Sequence, residues 1–399
     1  MSSHPQGLSQ WNKVVSTHMG HLSKTQAMVL AMYSYGTVLL SNCGMSGVAY
    51  LWSELLRQRE NTVRQRLREY LYDSKDKRGR QRHELEVETC FVRLLQWVVS
   101  WWTPHEKRMA IGLDATSLGQ RFTVLSMSVL YRGCAIPVAW VILPANQKGE
   151  WMPHWQRLLK LMREGLPRDW MVVVLTDRGL YSKVLYQAIQ RNHWHPMMRI
   201  NSHGKCRPHH QRHFIHLRSL VSQPGMTWHG RLDCFASKTA RLRCTLVAHW
   251  DEGFAEAWLL LTDLSPQRAD SLWYGMRAWI EQGFKDLKRG GFRWEHTKMT
   301  DPRRAARLWL VIALATLWAV SVGGAVDATL SASGLLDLPN DPHPRRLSCL
   351  KRGLIKILAA AIRNLVLPFG RFIPELWPTI SSLLVDPPIA PTGLSDAVY

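Results

Sequence analysis

Apolar residues recur at helical spacing through the first quarter of the chain. Residues 24–40 and 47–56 are rich in apolar side chains, and a short polar segment separates them. Residues 51–73 mix Leu, Arg and Glu at the same spacing, and residues 84–102 predict one more helix that packs on a core. We expect residues 1–100 to form a helical domain. Its basic character suits DNA binding, and a plain helical bundle is the alternative.

The apolar pattern then shortens to the period of β-strands. One short run ends in Asp114, and a buried run, MVVVLT, is followed by Asp177. Arg132-Gly133 separates two further β-rich runs and indicates a hairpin. The order β-β-β-α-β-α-β is typical of an α/β fold. The predicted elements are the strands 109–114, 122–131, 135–143, 171–176 and 197–200 and the helices 151–164 and 182–191.

Residues 201–256 interrupt the α/β pattern. Strand-like pieces at 226–235 and 240–249 predict an insertion of mainly β character. A last helical stretch, 347–367, precedes the proline-rich residues 372–399, which we expect to be mobile. The predicted organisation is a helical domain at 1–100, the first part of the core at 101–200, the β-rich insertion at 201–256, the second part of the core at 257–326, and a C-terminal helical segment with a mobile tail at 327–399.

One apolar segment imitates a membrane-spanning helix. Residues 308–326 contain no charge and are just long enough to cross a bilayer. The competing interpretation is a helix buried on all sides in a large core. We favour the buried helix, because the segment stands alone and closely follows the basic run DPRRAAR.

The charge balance indicates a polyanionic partner. The 399 residues carry a formal net charge of +21, which points to nucleic acid, with a merely soluble basic protein as the alternative. Seven cysteines without paired spacing favour a reducing compartment. The N-terminal residues show no apolar secretory segment, so we expect a cytoplasmic protein.

Residues 271–291 predict a helix with two stripes. Ser265-Pro266 is typical of a helix start, and Gly290-Gly291 is typical of a helix end. The polar stripe covers an arc of roughly 60°, and the apolar stripe lies roughly 90° around the helix. A solvated face with chance ion pairs is the alternative. The polar stripe consists of Tyr274, Arg277, Glu281 and Lys288, and the apolar stripe of Trp273, Met276, Ile280, Phe284 and Leu287.

Three carboxylates are expected to meet beside this helix. Asp114 and Asp177 each follow a predicted strand, at the sheet edge where α/β folds place their chemistry, and Glu281 lies on the helix. Convergent carboxylates need a cation, and oxygen ligands without His or Cys suit Mg²⁺ or Mn²⁺. Two such ions can promote cleavage of a phosphodiester. Each aspartate alone could instead be a turn or cap residue.

Three motifs resemble those of a known family. The Y-x2-R-x3-E-x6-K spacing of the polar stripe is similar at all four positions to the signature of DDE transposases of the IS-four type, which bacterial insertion sequences encode. Residues 112–116 (GLDAT) resemble the family's first-aspartate motif, and residues 176–181 (TDRGLY) resemble its second. The motifs follow in order, and the resemblance covers about residues 109–320.

The resemblance implies a ribonuclease-H-like catalytic core interrupted by a β insertion, with an N-terminal helical domain that recognises terminal inverted repeats. Asp114, Asp177 and Glu281 would be the catalytic and metal-binding triad, with two Mg²⁺ ions per site and Mn²⁺ as a substitute. The implied reaction is cut-and-paste transposition: cleavage at the element ends, often through a DNA hairpin, then transfer of the 3′-hydroxyl ends into target DNA. A homodimer on DNA would act at the bacterial nucleoid, with no membrane partner.

Four residues are implied as DNA contacts. Tyr274, Arg277 and Lys288 would bind phosphates near the scissile bond and steady a flipped base, roles that suit a phenol, a guanidinium and an ammonium group. Trp258 resembles a tryptophan that stacks on the flipped base in a related transposase. The alternative for Trp258 is a tryptophan of a core strand.

Two basic segments have competing interpretations. The histidine-rich stretch lacks the spacing of a zinc finger, so it predicts a DNA-facing loop, with zinc binding as the alternative. The arginines that open the apolar helix have two interpretations: contact with DNA phosphates, or simple solvation of a helix start. The histidine-rich stretch contains His203, Cys206, His209, His210, His213 and His216. The arginines are Arg303, Arg304 and Arg307.

Two other functional classes remain open. One is a sequence-specific DNA-binding protein, domesticated or inactive, and the other is a nuclease of the same fold without strand transfer.

Overall fold

The computed structural model describes residues 5–78, 82–145, 147, 151–329 and 346–377. Within these residues, five α-helices precede the first strand. Ser23 begins the second of them with a capping box, in which Ser23 and Gln26 satisfy each other's backbone amides. The helices are α1 Gln6–His18, α2 Lys24–Leu40, α3 Met45–Leu56, α4 Glu60–Leu71 and α5 Phe91–Ser100.

Ten strands in the described residues form one sheet. They are β1 Arg108–Leu118, β2 Phe122–Tyr131, β3 Cys134–Pro144, β4 Met171–Thr176, β5 His195–Arg199, β6 Lys205–Pro208, β7 Ile215–His216, β8 Thr227–Cys234, β9 Leu242–His249 and β10 Trp258–Thr262. Their spatial order is β3-β2-β1-β4-β5-β10-β9-β8-β6-β7. Strands β6 to β9 lie within residues 201–256, and β10 joins them to β5 in the same sheet.

The element order predicted for the α/β region is confirmed. Strands β1, β4 and β5 are parallel neighbours, whereas β1, β2 and β3 form an antiparallel meander. Parallel strands need crossover connections, and helices α6 Met152–Met162 and α7 Lys183–Gln190 supply them. The predicted hairpin turn at Arg132-Gly133 has positive φ at both residues, 44° and 77°. This is the backbone conformation that matches the twist of a two-residue hairpin.

Strand β1 is longer than the sequence predicts. It continues past Asp114 to Leu118, because β2 pairs with it over its whole second half. The expectation that Asp114 ends its strand is therefore wrong. Its parallel partner β4 does end here, since Leu113 lies opposite Thr176. Asp114 on β1 and Asp177 directly after β4 each follow this residue pair, which places them side by side.

The long apolar helix is buried in the protein. Helix α9, Pro302–Asp327, is long and apolar enough to cross a membrane, and 89% of its most apolar window is buried inside the protein. It packs against α2, α4, β3 and a later helix, α10 Cys349–Ile362. This packing is that of a core helix, as the sequence favoured.

The arginines at the start of α9 bind the N-terminal part of the chain. Arg307 is buried, and its guanidinium donates to the Asp73 carboxylate at 2.7 Å and to the carbonyl oxygens of Leu71 and Leu85. Arg303 also pairs with Asp73, at 3.0 Å. The phosphate-contact interpretation is therefore not supported here, because acidic groups of the protein already bind these arginines. A basic helix start instead fastens α9 to the N-terminal helices.

Removing the buried arginine should destabilise the protein strongly. Arg307→Met leaves the buried Asp73 carboxylate and two carbonyl oxygens without this donor, and we expect a loss of about 3–5 kcal/mol in the free energy of unfolding. The matched change Arg303→Met removes an exposed guanidinium that pairs with Asp73 and Glu84, and it should cost less than about 1 kcal/mol, because Arg307 still neutralises Asp73. Urea denaturation of both variants measures the difference. Equal losses would contradict the assignment of Arg307 as the fastening residue.

The C-terminal segment is packed as far as it is described. The predicted mobility of residues 372–399 is wrong for residues 372–377, since Phe372 pairs with Trp102 and Trp377 packs on Trp273. The Tyr131 hydroxyl and the Arg132 guanidinium both donate to the Ile373 carbonyl. Buried aromatic contacts thus hold this stretch on the sheet. Residues 378–399 lie outside the described residues.

The histidine-rich stretch shows no metal-binding arrangement. Cys206 is buried in β6, whereas the histidines around it are exposed. No group of three or more His, Cys, Asp and Glu side chains in the described ranges is placed to hold a metal as it stands. All seven cysteines are buried. The stretch is an exposed surface rich in basic side chains.

Candidate active site

The predicted two-stripe helix begins later and is less regular than its sequence suggests. It consists of a 3-10 segment, Ser271–Arg277, then helix α8, Ala278–Lys285, then a π-helical turn, Asp286–Gly290. The predicted start at Ser265-Pro266 is wrong, because the extended backbone of Asp270 interrupts the chain there, and the Asp270 side chain caps the segment. The predicted stop at Gly290-Gly291 is confirmed.

The apolar stripe packs on the sheet as expected. All five of its side chains are buried: Trp273, Met276, Ile280, Phe284 and Leu287. Gly283 allows the close approach, since a Cβ atom there would lie 2.7 Å from the Cβ of Ala135 on β3. Helix α8 is therefore fixed across β1, β2 and β3, with its polar side directed to the end of β4.

The three predicted carboxylates converge on one guanidinium. Arg277 Nη2 lies 3.0 Å from Asp114 Oδ2 and 3.8 Å from Asp177 Oδ2, and Arg277 Nη1 lies 2.6 Å from Glu281 Oε1. Both aspartate oxygens thus face the same nitrogen atom. The solvated-face interpretation of the polar stripe does not describe Arg277, which is 17% exposed and binds carboxylates from three separate segments.

The carboxylates differ in their surroundings. Asp114 is buried, and burial raises its pKa to about 6, although Arg277 and the Ala115 amide both favour the charged form. Asp177 is more open, and its Oδ1 accepts the Leu180 amide at 3.0 Å. Asp177 is therefore a local cap through one oxygen and faces Arg277 through the other. Glu281 is the most exposed of the three.

The donor set fits a divalent cation by its chemistry. Six carboxylate oxygens from Asp114, Asp177 and Glu281, without nitrogen or sulfur, are ligands for Mg²⁺ or Mn²⁺. The Arg277 guanidinium stands between them as a positive charge, so the three groups do not form a metal-ligand cluster in this conformation. A divalent ion bound by these carboxylates would compete with that guanidinium for the same oxygen atoms.

Two members of the polar stripe have structural contacts. Tyr274 is buried, its hydroxyl donates to the Thr176 carbonyl at 3.2 Å, and its ring meets Trp258 edge-to-face at 5.2 Å. Lys288 Nζ donates to Thr116 Oγ1 and to the Ser117 carbonyl, both at 2.8 Å. Tyr274 thus supports the end of β4, immediately before Asp177. DNA contacts by these residues and by the half-buried Trp258 stay predictions.

Lys288 does not continue the helical arc. Its backbone has φ −88° and ψ −120°, outside the helical region. The ammonium group nevertheless reaches the second half of β1, two residues beyond Asp114, through the Thr116 hydroxyl. Thr116 is a site residue that sequence reasoning missed, although it lies in the GLDAT motif. A hydroxyl just past the first aspartate was the available signal.

A second ion-pair group also escaped sequence reasoning. Glu256 pairs with Arg178, the residue after Asp177, at 2.9 Å and with Arg199 at 2.7 Å. These contacts join the segment before β10 to the loop that carries Asp177. Glu256 has no motif around it, and only the pairing of β10 with β5 brings it here.

A buried acid in the π-helical turn gives a pH prediction. Burial raises the pKa of Asp286 to about 6, opposed by a hydrogen bond from Gln282. A folded-state pKa above the unfolded value means that stability is lost as pH rises from about 4 to 6, at about 1.4 kcal/mol per unit. Asp286→Asn should therefore raise the free energy of unfolding by about 2 kcal/mol at pH 7.5 and by less than about 1 kcal/mol at pH 4.5. Urea titrations at the two pH values test this, and an equal change at both would contradict it.

Comparison with known proteins identifies the family of this region. A family model described as the transposase DDE domain matches residues 117–318, just over half of the chain, including Asp177 and Glu281. A cryo-EM structure of the piggyBac transposase synaptic complex with hairpin DNA is similar at 11% identity, covering 89% of this chain and 82% of that chain with a TM-score of 0.33. A similarity this low does not establish a shared fold. No curated protein matches the chain.

Proposed function

The chain belongs to the DDE transposase family, and we propose that it is a cut-and-paste transposase of the IS-four type. It binds terminal inverted repeats, cleaves DNA at the element ends and transfers the 3′-hydroxyl ends into target DNA. The observation that carries this proposal is the convergence of Asp114, Asp177 and Glu281 on Arg277. The net charge of +21 supports a DNA partner.

In the proposed mechanism, Asp114, Asp177 and Glu281 would hold two divalent ions, Mg²⁺ or Mn²⁺. Such ions activate a water or 3′-hydroxyl group and stabilise the leaving oxygen of a phosphodiester. The relative positions of the three carboxylates follow from the pairing register of β1 and β4 and from the packing of α8 on the sheet. The Arg277 guanidinium, which lies between the three carboxylates, would serve as a bidentate phosphate ligand when DNA is bound.

Lys288 and Trp258 complete the proposed DNA contacts. The Lys288 ammonium is held at the rim of the site by Thr116 and the Ser117 carbonyl, with a hydrogen-bond donor in excess for a phosphate. Trp258 is half-buried beside Tyr274 and offers an aromatic surface to an extruded base. Because the Tyr274 ring is buried, its proposed part in DNA binding is to support this surface.

The remaining assignments belong to the same proposal. The core is ribonuclease-H-like, with strand order β3-β2-β1-β4-β5 and residues 201–256 as its β-rich insertion. The N-terminal helices recognise the terminal repeats, and a homodimer pairs the two ends in the bacterial cytoplasm at the nucleoid. The proposed partners are DNA and a second copy of the chain, with no membrane.

Joining of DNA strands tests the proposal. Duplexes that end in the sequences flanking this gene, cut beforehand to expose 3′-hydroxyl groups, are incubated with the protein, a target plasmid and Mg²⁺ or EDTA. We expect covalently joined product in the reactions with Mg²⁺ and none in the reactions with EDTA. Cleavage of uncut duplex without joining would favour a nuclease, and binding without either reaction would favour a DNA-binding protein.

A further inference from the structure

A basic cavity borders the segment that follows Lys288 in the sequence. A cavity of about 710 Å³ opens between the N-terminal helices and residues 292–301, the segment that follows the π-helical turn. We call it the basic groove. Its cationic walls are Arg64 and Arg68 from α4 and Arg293 and Lys298 from the segment opposite.

These four cations have no internal partner. In the residues that the structure describes, none of them makes a side-chain hydrogen bond or an ion pair, and Arg64 Nε is buried without an acceptor. Arg304, which also lines the groove, behaves differently, because Asp76 binds it at 3.0 Å. The protein therefore neutralises the arginines that fasten α9 and leaves the four groove cations unpaired.

Few negative charges in the groove compensate for them. The acidic lining residue, Asp301, is already engaged, since its side chain accepts the amides of Arg303 and Arg304 at the start of α9. Like charges that converge without a counter-ion repel one another, and an anion from outside relieves that repulsion. The groove is thus built for an anionic ligand.

The start of helix α3 forms part of the groove and adds backbone donors. Gly44 precedes α3, and no side chain caps the helix. Asn42 Oδ1 accepts the Gly44 amide. Ser46 and Gly47, in the first turn, line the cavity. The first amides of a helix lack internal acceptors and carry a partial positive charge, which favours phosphate groups.

The groove walls are held in place before any ligand binds. The Cys43 amide donates to the Phe292 carbonyl at 2.8 Å, which joins the α2–α3 connection to the opposite wall. Arg121, in the β1–β2 turn, donates to the carbonyl oxygens of Glu295 and Met299 at 3.1 Å each, and also to that of Thr297. The wall is therefore tied to the strand that carries Asp114, so little ordering is required on binding.

We propose that the basic groove binds the phosphodiester backbone of DNA, as an extension of the strand held at the catalytic carboxylates. This inference rests on the proposed function for the identity of the anion. Arg293 follows Lys288 by five residues, so the row of cations continues from the rim of the active site into the groove. A backbone with repeated phosphates engages several separated cations at once, which a single small anion does not.

Two charge-removing pairs test the groove. Arg64→Gln with Arg68→Gln, and Arg293→Gln with Lys298→Gln, are compared with Arg163→Gln and Arg168→Gln, which remove the same charge at exposed positions outside the groove. Binding of a labelled 30-base-pair duplex to the full-length protein is measured in EDTA across a range of salt concentrations. Thermal unfolding of each variant shows whether folding is preserved.

Each groove pair should lower duplex affinity by about tenfold or more at 0.1 M salt. The slope of log K against log salt should fall in magnitude by roughly 1.8, because each lost phosphate contact contributes about 0.9. The control pair should change affinity less than about threefold. Melting temperatures should stay equal or rise, since the removed cations lack partners.

Three results would overturn the proposal. They are an unchanged salt slope in both groove pairs, an equal loss of affinity in the control pair, and tight binding of inorganic pyrophosphate that the groove pairs abolish while duplex binding persists. The last would assign the groove to a small anion. Failure of the proposed function looks different, because the protein would then fail to join strands while duplex binding still depended on the groove.

Discussion

Asp177→Asn is expected to lower the rate of DNA-end cleavage by at least about 10³-fold. A divalent metal contributes several kcal/mol to stabilisation of a phosphoryl-transfer transition state, and each 1.36 kcal/mol is a factor of ten in rate. Asparagine keeps the Oδ1 acceptor for the Leu180 amide, so the turn after β4 should persist. The loss should therefore come from metal binding and not from misfolding. Cleavage of labelled duplex ends in Mg²⁺ measures it.

A matched control separates this effect from lost negative charge. Glu252→Gln removes an exposed carboxylate in the connection between β9 and β10 and should leave the rate unchanged. Binding of duplex ends should be the same for both variants within about twofold. An Asp177→Asn protein that cleaves at more than a tenth of the wild-type rate would contradict the triad assignment.

Arg277→Met should weaken the metal-free protein and strengthen metal binding. Without the guanidinium, Asp114, Asp177 and Glu281 lose their shared cation, and Asp114 is buried, so we expect a loss of about 2 kcal/mol in the free energy of unfolding in EDTA. The expected loss in the free energy of unfolding is smaller than for a fully buried ion pair, because Asp177 and Glu281 are partly exposed.

Metal should restore more stability to this variant than to the wild type. A divalent ion no longer competes with the guanidinium, so we expect Mn²⁺ to bind about tenfold more tightly, a gain of about 1.4 kcal/mol. Calorimetric titration with Mn²⁺, together with thermal unfolding in EDTA and in Mn²⁺, measures both effects without any DNA. Arg277→Lys, which keeps a positive charge, should fall between the two proteins. Weaker Mn²⁺ binding by Arg277→Met would contradict the role of Arg277 as a displaceable cation.

The site was predictable where its geometry depends on local periodicity. Three features follow from the spacing of apolar residues: the strand MVVVLT, the hairpin at Arg132-Gly133 and the apolar stripe around Ile280. Burial against the core requires apolar side chains at the period of the strand or helix, so the sequence itself shows that period. The convergence of Asp114 and Asp177 followed from two strand ends, even though β1 continues, because β4 does end beside Asp114.

Features that depend on distant contacts were not predictable. The length of β1 is set by pairing with β2, and the late start at Ser271 is set by the extended Asp270. Spacing alone gave Arg277 only a weak helical partner in Glu281. Its contacts with Asp114 and Asp177 require the tertiary seat of α8 on the sheet. The packed stretch at Phe372 likewise depends on Trp102, far away in sequence.

Excision from a donor plasmid tests the central claim most directly. The plasmid carries a marked segment between the DNA sequences that flank this gene, and wild-type protein is compared with Glu281→Gln in Mg²⁺ and in EDTA. The proposed function predicts an excised linear or hairpin-ended segment with the wild type in Mg²⁺ and in no other condition. DNA that is bound but uncut in Mg²⁺, or excision that persists in Glu281→Gln, would contradict the assignment of these three carboxylates as the catalytic centre of a transposase.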